Sequence, residues 1–202
     1  MFAERLICPV TTLGPGRRAA LWTAGCSKHC PRCISPELQK VRANQSFAVE
    51  ELATHLCSLA SEQGIHRLTV TGGDPLEQPE GLIGLLSAIR ASYDDILVYT
   101  GFTLEELPDA VGTERLGELR SLVDVLIDGR YLDELNVPDC VLRGSTNQRL
   151  LFWNEGLRPT YERYLEGGRQ VQNFVHEGEI VSVGIHNRFD VEAACGAEGV
   201  AL

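Results

Sequence analysis

Ala24-Gly25-Cys26-Ser27-Lys28-His29-Cys30-Pro31-Arg32-Cys33-Ile34-Ser35-Pro36 places three cysteines at spacing C-x3-C-x2-C. The stretch follows a short apolar run, Ala19-Ala20-Leu21-Trp22-Thr23, that reads as a first strand. Pro31 and Pro36 keep the loop irregular, because proline lacks an amide donor and restricts its predecessor. Thiolates so spaced can wrap one soft metal centre from a single loop. The nearest other cysteines are Cys8 and Cys57, so the loop offers three ligands rather than four. A [4Fe–4S] cluster held by three thiolates keeps one iron without a protein ligand, and that iron can bind a substrate directly. Two other readings stand beside this one. A structural zinc site needs a fourth ligand; His29 or Cys8 is at hand, but no second Cys-x2-Cys hairpin. Three unrelated buried thiols are the other, to which the neighbours Lys28, His29 and Arg32 are ill suited.

Beyond the loop the chain alternates. Ser46 is a suitable N-cap, with Glu50 and Glu51 in the first turns. Val49, Leu52, Leu56 and Leu59 then recur at helical spacing up to Gly64, with Cys57 as a core residue. Strands are expected over Ile65 to Thr71, Ile96 to Thr100, Val123 to Ile127, near Cys140 to Arg143, and over residues 148–153. Helices are expected over Glu80 to Ala91, briefly over Leu104 to Leu107, and over Thr113 to Ser121. Residues 1–18, with Cys8-Pro9 and Gly14-Pro15-Gly16, read as a turn-rich lead-in. Residues 154–168 read as a linker or surface segment with Tyr161 and Tyr164 as docking residues. Residues 169–185 read as a hairpin turning at His176-Glu177-Gly178-Glu179, and the weakly patterned tail as frayed.

Strands alternating with helices predict parallel βα units, whose ligands sit at the carboxyl ends of the strands. The cysteine loop, Gly72 to Pro75, Thr100-Gly101, Asp128-Gly129 and Gly144 to Gln148 each follow a strand. A complete eight-unit barrel takes about 250 residues. The expected fold is therefore α/β, a partial (β/α)6-type TIM-like barrel, with the core over 1–153 and the linker, hairpin and tail of 154–202 packed on it. Composition fits this reading. The chain is 44% apolar and 23% charged, as globular proteins are, and no apolar run approaches a membrane span. The N-terminus has no signal-peptide pattern. A formal net charge of −10 without a basic stretch argues against nucleic acid as the main partner. Seven cysteines, an odd number with three at metal spacing, point to a reducing cytoplasm rather than a disulfide framework. Cys140 and Cys195 read as incidental.

C-x3-C-x2-C after a first strand resembles the signature of the radical S-adenosylmethionine enzymes. Thr71-Gly-Gly-Asp-Pro-Leu76, Val98-Tyr-Thr-Gly-Phe-Thr-Leu-Glu-Glu-Leu107, Val123-Asp-Val-Leu-Ile-Asp-Gly-Arg130 and Arg143-Gly-Ser-Thr-Asn-Gln148 narrow the resemblance. Over roughly residues 15–150 the chain is similar to the glycyl-radical-enzyme activases, among them those serving anaerobic ribonucleoside-triphosphate reductases. The resemblance implies a [4Fe–4S] cluster on Cys26, Cys30 and Cys33, and S-adenosylmethionine chelating the open iron and steadied by Gly72, Gly73 and Asp74. It further implies one-electron supply from a flavodoxin or ferredoxin, and hydrogen abstraction from a glycine of a partner enzyme. Modification of another peptide or of a small molecule is the nearer alternative, and a non-enzymatic metal scaffold the farther one.

Other strand-end residues admit two roles each. Thr100 either serves its loop or meets the cofactor. Asp128 either caps its loop or binds the ribose or a cation. Arg143 pairs with surface acids or holds the methionine carboxylate, and Asn147 and Gln148 satisfy loop backbone or hydrogen-bond the cofactor. Lys28, His29 and Arg32 tune the cluster potential or face solvent. The chain departs from the family pattern at Arg32, at Ile34-Ser35 and in its C-terminal hairpin, which bears on the substrate more than on the cofactor chemistry.

Overall fold

The computed structural model describes residues 1–176 and 179–187; the turn residues 177–178, Cys195 and the tail lie outside the described residues. Its centre is a six-stranded sheet with strands in sequence order. β2 (Arg18–Thr23), β3 (Arg67–Gly72), β4 (Asp95–Tyr99) and β5 (Val125–Asp128) are parallel. β1 (Ala3–Val10) and β6 (Arg149–Phe152) run antiparallel at the two edges. The expected six βα units are thus four parallel strands with an antiparallel strand on each side.

The parallel strands read as apolar because both sides are covered. Leu21, Leu68, Val70, Ile96, Val98 and Leu126 face α1 (Val49–Gln63), α2 (Pro79–Ile89), α3 (Leu107–Val111) and α4 (Thr113–Leu122) in one core. Leu82, Leu85, Leu86 and Ile89 of α2 are each wholly buried there, and each contributes about 1.5–3 kcal/mol over an exposed side chain. α1 ends where Gly64 takes φ 65, its amide donating to the Ala60 carbonyl and that of Ile65 to the Leu59 carbonyl; glycine adopts this geometry without Cβ strain.

The opposite face carries Ala20 and Trp22, then Leu97, Val125 and Ile127. It is covered by the C-terminal part of the chain: α5 (Arg158–Leu165) and the hairpin β7 (Val171–His176)–β8 (Glu179–Gly184). Val183 packs on Val10, Leu13, Ala20 and Trp22. Beneath α5 lies a buried polar cluster. Arg18 donates to both Asp95 oxygens (3.1 and 3.3 Å), to Thr69 Oγ1 (2.7 Å) and to the Leu68 and Pro15 carbonyls, and Tyr161 Oη donates to Asp95 Oδ1 at 2.7 Å. A guanidinium this well matched is tolerated in a core where an unpaired one is not.

Several expectations need correction. Residues 1–18 are no mere lead-in, because Ala3–Val10 forms β1; its Pro9 is accommodated because the strand is an irregular edge. α1 starts at Val49 with Ala48 at the cap, and Ser46 instead bridges Phe2. Cys140 to Arg143 form an irregular bend rather than a strand, with Leu142 at φ 65, a left-handed conformation that extended strand backbone does not use for a leucine. The helix expected over Leu104 to Leu107 begins at Leu107. The expected linker contains α5, which docks through Tyr161, wholly buried, and through Tyr164, whose hydroxyl donates to the Thr11 carbonyl. The hairpin lies where its alternation placed it.

Candidate active site

Register brings the strand ends level. Thr23 pairs with Gly72, and the Thr100 amide donates to the Ile127 carbonyl. Above them opens a cavity of about 1150 Å³, against roughly 300–1,000 Å³ for ordinary ligand sites. Cys26, Cys30 and Cys33 all line it, as do Gly72, Gly73, Asp74, Thr100 and Gln148. The cysteine loop enters along residues 38–39, with the Gly25 amide on the Leu38 carbonyl and that of Cys26 on the Gln39 carbonyl. It then turns at His29 (φ 46) and Arg32 (φ 55), with the Cys33 amide on the Cys30 carbonyl. The three thiols are half-buried and unbridged. Burial pushes the Cys26 and Cys33 thiols up, a shift that a metal taking the thiolate reverses. Among the described residues no group of three or more His, Cys, Asp or Glu could hold a single metal ion. A cluster sets its thiolates on separate irons, so its ligands need not meet at one point.

Lys28 fastens the loop. Its Nζ donates to Glu77 Oε1 at 3.0 Å, stands 3.7 Å from Asp74 Oδ2 and lies 3.2 Å from the Phe102 ring centroid. The Ser27 amide and hydroxyl donate to the same Glu77 oxygen at 2.8 and 2.6 Å. Burial works to raise the Glu77 carboxyl, but these hydrogen bonds outweigh it and the net shift is downward.

The Gly72-Gly73-Asp74 turn is packed against this loop. A Cβ on Gly73 would stand 2.3 Å from the Gly25 carbonyl oxygen, and one on Gly72, at φ 106, 2.5 Å from that of Thr23. The Gly73 and Asp74 amides donate to the Thr23 and Gly25 carbonyls, both at 2.8 Å. The missing side chains therefore make room for the protein's own backbone. Asp74 is almost wholly buried and joins three loops: it accepts from the Leu76 amide, from Thr100 Oγ1 at 2.9 Å and from the Gly101 amide, beside Lys28. Burial raises its carboxyl pKa against those hydrogen bonds.

The remaining expected residues divide. Gln148 lines the cavity but stitches two loops, accepting from the Gly144 and Ser145 amides and donating to the Gly129 carbonyl. Asp128 is wholly buried outside the cavity lining and accepts from the Leu104 amide and from Arg149. Asn147 donates to the Arg130 carbonyl and is exposed. Arg143 donates to the Gln148 carbonyl, and its buried Nε has no hydrogen-bond partner. His29 pairs with Gln39, and Arg32 stands 3.7 Å from Asp133. Sequence reading missed Glu77, Tyr131 and Asn136. Tyr131 and Asn136 line the cavity, and Asn136 Oδ1 is buried without a partner. Position two residues past Pro75 was the one signal for Glu77.

A family model described as a 4Fe-4S single cluster domain matches residues 12–151. The anaerobic ribonucleoside-triphosphate reductase-activating protein of Enterobacteria phage T4 is 38% identical over 152 residues, covering 71% of this chain and 89% of that protein. Those of Salmonella typhi and Escherichia coli are 31% and 32% identical over 142 and 141 residues, each covering 67% of this chain and 88% of the relative.

Proposed function

Since this chain belongs to the family of the anaerobic ribonucleoside-triphosphate reductase-activating proteins, we propose that it is a radical S-adenosylmethionine enzyme that installs a glycyl radical on such a reductase. The observation that carries the reading is the meeting of Cys26, Cys30, Cys33 and the Gly72–Asp74 turn on one cavity wall at the ends of parallel strands. Cys26, Cys30 and Cys33 would hold a [4Fe–4S] cluster. The chemistry it supplies when bound is one-electron cleavage of the sulfur–C5′ bond of S-adenosylmethionine, giving methionine and a 5′-deoxyadenosyl radical that takes a hydrogen atom from a glycine Cα. The reading takes the open sheet as the partial barrel of that enzyme class, and a flavodoxin or ferredoxin as electron donor.

The chain's own part is position and exclusion of water. With the Gly73 and Asp74 amides engaged, the turn has carbonyl acceptors left to offer, which is what an amino group needs. The Asn136 Oδ1, buried without a partner on the cavity lining, is an acceptor available to a bound ligand. Lys28, Glu77 and Asp74 fix the thiols against the turn. The hairpin lines the same cavity.

The test is anaerobic reconstitution with iron and sulfide, then dithionite and S-adenosylmethionine, with Cys26→Ala beside it. Wild type should form 5′-deoxyadenosine and, with the reductase present, a glycyl-radical signal by electron paramagnetic resonance; the variant should form neither. A wild type that binds a cluster yet cleaves no S-adenosylmethionine in the presence of the reductase overturns the proposal.

A further inference from the structure

The cavity is bordered by two open strand edges. Among the described residues β8 pairs with β7 alone, and β1 is the terminal strand of the large sheet. Consecutive residues 180–186 and 4–8 line the cavity. Successive side chains of a strand point to opposite faces. A strand whose consecutive residues all border one space therefore turns its edge toward it, with the main-chain N–H and C=O groups. Another extended main chain, with its alternating donors and acceptors, is the natural complement of such an edge. β8 is also held in place without a further strand. The Thr12 hydroxyl donates to the Val183 carbonyl at 2.9 Å, and Gln172 of β7 accepts from the Thr11 amide at 3.0 Å. Near the hairpin tip the cross-strand pair Val175 and Ile180 is 80% and 69% exposed and borders the cavity. Ile34, directly after Cys33, borders it too and is 51% exposed. Apolar side chains thus stand on the same cavity from the hairpin tip to the cysteine loop. Residues 152–202, to which the hairpin belongs, lie beyond the segment that the family model matches, so this wall is an addition to the family core.

We propose that the cavity takes an extended polypeptide segment whose main chain pairs with the open edge of β8 and whose apolar side chains lie on Val175 and Ile180, so that one residue faces the cysteine loop. This deepens the reading above and rests on it for the identity of the partner alone.

The experiment titrates overlapping synthetic peptides tiling the reductase of the same organism against the reconstituted protein, followed by fluorescence anisotropy. One stretch should bind. Within it, N-methylation of every second residue should weaken binding about tenfold, the worth of a lost main-chain hydrogen bond, with the intervening positions tolerant. Amide hydrogen exchange at residues 180–182 should slow on binding, and the Val175→Ser, Ile180→Ser double variant, altered at two exposed positions, should bind about tenfold more weakly. No binding peptide, uniform sensitivity to N-methylation, or unchanged exchange in β8 overturns the proposal. Cleavage of S-adenosylmethionine is measured in parallel without peptide. A chain that forms 5′-deoxyadenosine yet binds no peptide overturns the β8 site and leaves the cofactor reading standing; peptide binding with no cleavage does the reverse.

Discussion

Gly73 sits where two backbones touch. Its missing side chain leaves the Gly25 carbonyl oxygen 2.3 Å from where a Cβ would be, and neither partner is the flexible end of a side chain. Gly73→Ala must therefore push the cysteine loop off the strand end. The expected cost is about 1–3 kcal/mol, read as a lower urea midpoint, together with less iron bound per chain on reconstitution. Wild-type stability and iron content would mean that the loop yields freely. The Gly-Gly-Asp-Pro turn was legible in the sequence because glycines at a strand end mark a close approach. What approaches on the side of the missing Cβ atoms was not legible: it is the backbone of the first loop. Nor was the Lys28–Glu77 pair. The two residues are 49 apart in the chain, and they meet through the register of β2 with β3, which residue types alone do not give.

At the scale of elements, β3, β4, β5, α1, α2 and α4 were readable from apolar periodicity, since each buries a continuous stripe or run. β1 was not, because Pro9 and the following glycines read as turns. α5 was not either: in Arg158–Leu165 one side chain, Tyr161, is buried. It docks through one buried ring and its hydrogen bond, with Tyr164 and Leu165 packed beside it, which leaves little periodic signal. Tyr161→Phe keeps the ring and its edge-on contact with Phe152, 5.7 Å between centroids, and removes the donor to Asp95. It should lower stability by about 1–2 kcal/mol, seen in chemical denaturation. A loss near zero would show that Arg18 alone satisfies Asp95, and that α5 is held by packing.

For the whole molecule, acid stability follows from how strand ends are tied. Arg149 of β6 holds both Asp128 and Glu105. Its hydrogen bonds lower the Glu105 carboxyl from 4.5 to about 2. A carboxyl lowered on folding stabilises the native state above its unfolded pKa, and that contribution is lost as pH falls from about 4.5 toward about 2. Glu105 is open to water, so salt screens the effect. Glu105→Gln should therefore lose stability less steeply than wild type across that acid range, by urea midpoints at low salt; parallel curves would show that the ion pair adds nothing. Sequence alone indicated the convergence of strand ends on one site and the packing of 154–202 on the core, but not which sheet face that segment covers, because the contact joins the far end of the chain to β2, β4 and β5.

That last point bears on the order in which the protein is made. The thiols at 26–33 leave the ribosome long before residues 171–184, which complete their cavity. At ~5–20 residues per second the interval is roughly 7–30 s. In its later part, once β6 is made, the nascent chain has every strand of the large sheet but not the hairpin, so an inorganic group delivered then meets a cysteine loop whose cavity still lacks the hairpin wall.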